Sequence, residues 1–388
     1  MVPEGWTKTL LGNVMQFKNG LNFTKNDTGE AIKIVGVANF KDLNELHSTE
    51  DLDVVRIADK IRDEELLANG DLLFVRSNGN KELIGRCLYF PCVSERLSFS
   101  GFTIRGRAKK ELVIPEYIAA VARSSFMKQQ ISKNGGGTNI SNLSQKILND
   151  IVISLPKIDE QKRITQVLSV WDKAIVTTKK LLANSQKQKK SLMQQLLTGR
   201  KRLSGFDEVW TNSNLKSIVN FSKGQQINRN TLISSGEFPV INGGVFPSGY
   251  TSQYNGLPNT ITISEGGNSC GYVSFQKEHF WCGGHCYALT NLNVDVEFMY
   301  HLLKFNETKI MRLRVGSGLP NIQKKDLEAF TVYYPLNMHE QQKIANVLSV
   351  LDQEIEVLQQ KLNHLKQEKK ALMQQLLTGK RRVKVEAA

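Results

Sequence analysis

The segment SLMQQLLTGRKRL, from Ser191 to Leu203, returns as ALMQQLLTGKRRV, from Ala371 to Val383. The echo continues upstream, where EQKRITQVLSVWDKAI (Glu160 to Ile175) answers EQQKIANVLSVLDQEI (Glu340 to Ile355). Ser169 and Ser349 lie 180 residues apart, and so do Gly199 and Gly379, so both stretches keep one register without a gap. Such an internal repeat constrains the fold more than any composition does, because it marks one structural unit used twice.

The repeated stretches have the period of a coiled-coil seam. Ile344, Leu348, Leu351, Ile355, Leu358, Leu362, Leu365, Lys369, Leu372 and Leu376 follow one another in alternating steps of four and three, an a/d heptad pattern broken only by the lysine. The first copy has Ile164, Leu168, Trp171, Ile175, Thr178, Leu182, Ser185, Lys189, Leu192 and Leu196 at the equivalent places. Its seam is apolar at both ends and polar in the middle. Thr198-Gly199 and Thr378-Gly379 supply the glycine stop of a helix C-terminus. A seam this long has to be buried, and the nearest partner is the other copy. Packed antiparallel, the two helices would separate two globular domains related by a pseudo-twofold. From Ile164 to Leu196 the first helix would span roughly 48 Å at 1.5 Å per residue, more than the ~34 Å of one turn of DNA.

The globular parts also correspond, more faintly. Trp6, Leu11, Val14, Phe17 and Gly20 answer Trp210, Leu215, Ile218, Phe221 and Gly224, each 204 residues on. A strand-like run and a proline precede each helix, DIVISLP up to Pro156 and AFTVYYP up to Pro335. Strand-like runs such as IKIVGV, DLLFV and NTITISEGG, with amphipathic helices expected over 112–130 and 296–309, describe mixed α/β domains with twisted sheets. The chain therefore divides into a first globular domain (1–155), a helix (156–203), a second globular domain (204–334) and a second helix (335–388).

Charge follows the same division. The net +14 is concentrated in 156–203, with 12 Lys/Arg against 3 Asp/Glu, and in 335–388, with 9 against 6. Residues 1–155 carry 20 against 18, and residues 204–334 carry 10 against 10. The basic runs suit either a solvated helix face or contact with phosphates, so a basic groove in the globular domains would have to be local. The five cysteines, an odd number in a large chain, argue against a disulfide framework. The CGGHC run (Cys282 to Cys286) matches no zinc-ligand spacing and suits a loop between strands, so no metal is assigned. No apolar run reaches the ~20 residues of a membrane span, which makes a cytoplasmic protein without membrane contact the expectation.

The motifs at Pro156, Glu160, Gln161, Ile164 and Leu168, the LLTG helix endings, the glycine-rich approaches GGGTNIS and GSGLPNI, and the duplicated layout resemble the specificity subunits of type I restriction–modification systems. The resemblance covers essentially the whole chain. It implies two target-recognition domains, each reading half of a gapped sequence in double-stranded DNA, with helices that set the gap. It also implies a non-catalytic chain that binds no cofactor. S-adenosylmethionine, ATP and Mg would belong to partners: two methyltransferase subunits and a restriction (translocase) subunit. Neither a P-loop, a dinucleotide fingerprint nor an adenine-methyltransferase motif occurs in the sequence, in keeping with a chain that leaves chemistry to others.

Base edges are read by Arg, Lys, Asn, Gln and acidic side chains on loops. In the first domain Arg76, Asn78, Asn80 and Lys81 are the candidates, with Gly136, Thr138 and Asn139 as a backbone site for phosphate. An ordinary solvated hairpin and a plain flexible turn account for the same residues. In the second domain the candidates are Lys223, Gln225, Gln226, Arg229, Asn242, Glu265, Asn268, Ser317 and Asn321. Gln225 and Gln226 suit adenine, and Glu265 suits cytosine N4. Tyr250, Tyr254 and Trp281 fit loop packing better than base stacking. The clusters Arg200, Lys201, Arg202 and Lys380, Arg381, Arg382 would dock partner subunits or touch phosphates, two options the sequence leaves open. A stand-alone DNA-binding regulator and an interaction scaffold that does not bind DNA remain alternatives.

Overall fold

A computed structural model of the chain describes residues 3–24, 27–40, 43–58, 60–134, 142–316, 318 and 320–383. The candidates Gly136, Thr138, Asn139 and Ser317 lie outside the described residues. The chain forms two compact units, one of Met1–Thr177 with Leu362–Ala388 and one of Thr178–Lys361. Each unit thus takes one globular domain and a part of both long helices.

The globular domains are built to one plan. In unit 1 a four-stranded antiparallel sheet runs in the order Met15–Asn19, Thr103–Ala108, Leu72–Val75, Cys87–Tyr89. Beside it, Glu30–Val35 pairs antiparallel with Val54–Ile57 and parallel with Leu97–Phe99. Unit 2 repeats both: Asn220–Lys223, Cys286–Thr290, Thr260–Ser264 and Val273–Gln276 form the four-stranded sheet. Phe238–Ile241 pairs antiparallel with Tyr250–Thr251 and parallel with Trp281–Cys282. The strand-like runs of the sequence fall in these strands because Val, Ile, Phe and Leu suit a pleated, half-buried surface. The strand Leu72–Val75 is buried at every position, as expected for one between two neighbours and covered on both faces.

Each domain also clasps its own ends. Thr7–Leu10 pairs with Val152–Leu155 in unit 1, and Thr211–Asn214 pairs with Thr331–Tyr334 in unit 2. The chain leaves each clasp at a buried proline, Pro156 or Pro335, and enters a long helix. The inner helices are shorter than the sequence periodicity suggests. Pro115–Ala122 and Ser125–Asn134 divide the first, and Val296–Phe305 and Glu307–Met311 the second. The first begins on Pro115, whose missing N–H costs nothing in a first turn.

The long helices are Ile158–Leu196 and Met338–Leu376, 39 residues each. Ile164, Leu168, Ile344, Leu348, Leu351, Leu362 and Leu376 are buried, while Trp171, Ile175 and Ile355 are half-buried. The helix ends join the domain cores. Ile164 and Leu168 share one apolar cluster with Leu376, Leu377, Trp6 and Tyr117. In unit 2, Ile344 and Leu348 share another with Leu196, Leu197, Trp210 and Phe298. Each core therefore takes the start of one helix and the finish of the other. Every buried leucine or isoleucine contributes about 2 kcal/mol there.

Candidate nucleic-acid interface and helix junctions

The recurrent LLTG ending has a local explanation at every position. Its two leucines enter the core, as Leu196–Leu197 in unit 2 and Leu376–Leu377 in unit 1. The threonine hydroxyl donates to the carbonyl four residues back, from Thr198 to Gln194 at 2.6 Å and from Thr378 to Gln374 at 2.5 Å. Gly199 and Gly379 adopt φ of +70° and +68°, the left-handed conformation that lets a helix stop.

Just beyond stands an arginine that crosses to the other helix. Arg202 grips the buried carboxylate of Glu340 through Nε and Nη2, both at 2.7 Å. Arg382 does the same to Glu160, at 2.7 and 2.9 Å. Each guanidinium also faces a tryptophan ring, Trp210 at 5.5 Å and Trp6 at 5.8 Å. Trp6 Nε1 donates to Glu160 at 3.0 Å. Among the described residues Trp210 Nε1 has no partner. The neighbouring glutamine of each EQ pair ties the helix to its domain. Gln161 accepts from Ile114 N at 3.0 Å and donates to Pro156 O at 2.9 Å. Gln341 accepts from Asp295 N at 2.8 Å and donates to Pro335 O at 2.8 Å. EQ and the distant arginine are thus two halves of one joint, made once per unit.

The polar places in the seam are paired as well. Lys369 bonds Asp172 in unit 1, and Lys189 bonds Asp352 in unit 2. The two lysines are equivalent across the repeat, and so are the two aspartates. Ser185, buried, donates to Glu354 at 2.9 Å. Within each unit, positions early in one helix meet positions late in the other, so the segments run antiparallel. In unit 2 the group is extended by His301, whose Nε2 meets Ser349 Oγ at 3.1 Å and whose Nδ1 lies 3.9 Å from Asp352. Burial first, then the Lys189 charge, lowers the His301 pKa from 6.5 to about 4, with Asp352 opposing.

At one edge of each domain, strand ends and turns converge. In unit 2 the chain leaves Asn220–Lys223 at Gly224, where a Cβ would stand 2.2 Å from the Gly283 carbonyl. That close approach allows Gln225 to bridge to Gly283 beside the turn 283–285. Asn242 Oδ1 accepts from His285 N at 2.9 Å, and Glu265 N donates to His285 O at 2.9 Å. Gln226 Oε1 lies against Gly284. Glu265 accepts from Lys223 Nζ at 2.6 Å and from Tyr287 Oη at 3.0 Å, and burial pushes the Tyr287 hydroxyl up. Asn321 joins the edge through main-chain bridges to Val315 and Gly266, and Asn268 is exposed in the turn that follows. The structure therefore brings Lys223, Gln225, Gln226, Asn242, Glu265 and Asn321 together. Arg229 stands apart in the short helical turn Arg229–Thr231.

Unit 1 builds the same edge from other side chains. A Cβ on Gly20 would stand 2.2 Å from the Ser100 carbonyl, and Leu21 bridges to Ser100. Arg76 N donates to Phe102 O at 2.8 Å, and Leu143 N to Arg76 O at 2.8 Å, as Ile322 N does to Glu265 O. Arg76 is therefore the counterpart of Glu265, and Phe102 of His285. Arg76 Nη1 also donates to Gly101 O at 3.4 Å. Asn78 and Asn80 spend their side-chain oxygens on the local backbone, accepting from Asn80 N and Glu82 N, and Lys81 opens a short helical turn. Sequence reasoning named Arg76 and Glu265 but not Phe102 or His285. The constant spacing of Gly20 and Gly224 was the one signal leading to the turns they abut.

Of the six basic residues past the helix ends, Arg202 and Arg382 are engaged within the chain, whereas Arg200, Lys201, Lys380 and Arg381 are exposed. All five cysteines are free, and Cys282 and Cys286 end and begin strands with Gly283, Gly284 and His285 between them. Among the described residues no group of three or more His, Cys, Asp or Glu could hold a metal ion, and no helix is long and apolar enough to cross a membrane.

Comparison with known proteins agrees with this duplicated plan. A relative from Mycoplasma genitalium is 36% identical over 152 residues, 38% of this chain and 39% of the relative, so the chain spans about two fifths of that relative's length. The type I restriction enzyme MjaVIII specificity subunit of Methanocaldococcus jannaschii is 24% identical over 424 residues, covering 89% of this chain and 96% of its own. The crystal structure of a type I restriction–modification S subunit from M. genitalium superposes with a TM-score of 0.69 at 18% identity, over 97% of this chain and 99% of that one, and shares the fold. The type I restriction modification DNA specificity domain matches twice, at residues 3–184 and 207–367. With both halves of the repeat covered by that match, the chain belongs to the family of type I restriction–modification DNA specificity proteins.

Proposed function

We propose that this chain is the sequence-reading, non-catalytic subunit of a type I modification complex, in which each unit reads one half of a gapped DNA site and the paired helices set the unread interval. The observation that carries this is the edge built twice. One backbone scaffold presents Arg76 and Phe102 in unit 1 and Glu265 and His285 in unit 2, so equivalent positions carry side chains of different chemistry. Two readers of unlike sequences need that combination.

Methylation then falls to two methyltransferase subunits using S-adenosylmethionine, and cleavage to a restriction subunit using ATP and Mg. The doubled surfaces fit two copies of one partner. Val170 and Val350, equivalent across the repeat, are 65% and 60% exposed on their helices, and Arg200, Lys201, Lys380 and Arg381 flank the equivalent helix ends. The test is a genome-wide methylation map of cells carrying the chain with its methyltransferase. Seven residues inserted into each helix at matching positions preserve the heptad and add ~10 Å. The gap should widen by about three base pairs, at ~3.4 Å each, with both half-sites unchanged. Altered half-sites with an unaltered gap would refute the proposal.

A further inference from the structure

The turns 100–102 and 283–285 sit in the same backbone cradle and differ most at their last residue. Phe102 leaves 64% of its surface exposed, and the side chain of His285 leaves 61%. Neither is a loose loop residue. The Phe102 carbonyl accepts from Arg76 N at 2.8 Å and Ser77 N at 3.4 Å. His285 is held on both sides of its backbone, by Asn242 Oδ1 on its N–H and by Glu265 N on its carbonyl. A large side chain exposed on a fixed backbone is pre-organised for contact.

We infer that Phe102 and His285 are the specificity-determining side chains of the two half-sites, one reading a thymine methyl and the other an exocyclic amine. The inference rests on the DNA-reading function proposed above. A phenyl ring has no hydrogen bond to offer, and thymine alone presents a methyl group in the major groove. The imidazole has a different environment. Its Nδ1 lies 3.7 Å from Glu265 Oε2, and the other carboxylate oxygen is fastened by Lys223 and Tyr287. With its ring hydrogen on the side of that carboxylate, a neutral imidazole has Nε2 as its acceptor. Such an acceptor takes the N6 amine of adenine or the N4 amine of cytosine. Glu265, with one oxygen committed and the other turned to His285, is a positioning residue rather than a reader.

The experiment expresses the full chain with its methyltransferase in cells lacking other modification and maps methylated sites for wild type, F102A, F102L, H285F and E265Q. Loss of one base contact changes selectivity by about tenfold. F102A should raise modification of sites with other bases at one thymine position of one half-site by that factor, while F102L, which keeps an apolar contact, retains the preference. H285F should do the same at one position of the other half-site only. E265Q should blur the His285 position alone, whereas a merely structural role would weaken modification of all sites equally. A specific wild type whose variants modify the same sites within twofold overturns the inference and leaves the proposed function standing. A wild type without any sequence preference overturns the proposed function itself.

Discussion

Arg202 and Glu340, 138 positions apart, form a two-pronged ion pair in which the glutamate side chain is fully buried and the arginine side chain three-quarters so. Removing one partner from such a pair strands a buried charge, which costs roughly 3 kcal/mol when the remaining site is partly wet. Arg202→Ala should therefore lower the unfolding free energy of unit 2 by about that amount. Replacing both residues, as Arg202→Met with Glu340→Leu, should cost less than the single change. Denaturant titration of the three variants checks the order.

The two lysine–aspartate bonds in the seam predict interdependence. Burial lowers the Lys369 pKa although Asp172 works against it, so the lysine tolerates its place only with that partner. Asp172→Lys should destabilise unit 1, and Asp172→Lys with Lys369→Asp should recover at least ~1 kcal/mol of the loss. A double-mutant cycle measures the coupling. Additive effects would mean that the pair contributes nothing to helix register.

His301 gives unit 2 an acid sensitivity. Its pKa falls from 6.5 to about 4 on folding, so the unfolded chain binds the extra proton between those values. The stability this neutral histidine permits is complete above pH ~6.5 and declines as pH drops toward 4, by about 3 kcal/mol at 1.36 kcal/mol per unit. His301→Gln should flatten that part of the pH profile relative to wild type, as followed by thermal melting from pH 4 to 7.

Two equivalent glycines should differ in tolerance. Alanine at Gly199 meets Trp210 and Tyr333 at ordinary contact distances of 3.5 and 3.6 Å, leaving only the left-handed backbone cost of about 1 kcal/mol. At Gly379 the same methyl would stand 2.2 Å from Pro3 Cγ. Gly379→Ala should thus cost clearly more than Gly199→Ala in a melting comparison.

The long helices were legible because a seam with alternating steps of four and three writes its own period into the chain. The sequence located Ile164 to Leu196 and Ile344 to Leu376, and the helices extend only a turn or two further upstream. The joint between Glu160 and Arg382 was not legible from either residue, since nothing local reports a partner 222 positions away. The co-recurrence of EQ and the arginine past LLTG was its trace. In the globular domains the strands showed through their β-branched runs, but the edge where strand ends and turns converge did not. Arg76 and Glu265, or Phe102 and His285, are chemically unlike and become equivalents only through strand pairing and the carbonyl passing Gly20 or Gly224. That chemical diversity removes the sequence signal that would align them.

The division of the chain into Thr178–Lys361 and a unit assembled from Met1–Thr177 with Leu362–Ala388 sets an order of events at the ribosome. The inner stretch is continuous and can close on itself once residue 361 has emerged. The outer one, although residues 1–177 are made before the inner stretch, lacks Leu376, Leu377 and Arg382 until after it, so its apolar surface around Ile164 and Trp6 waits uncovered. The stretch made before the inner unit is completed only after it.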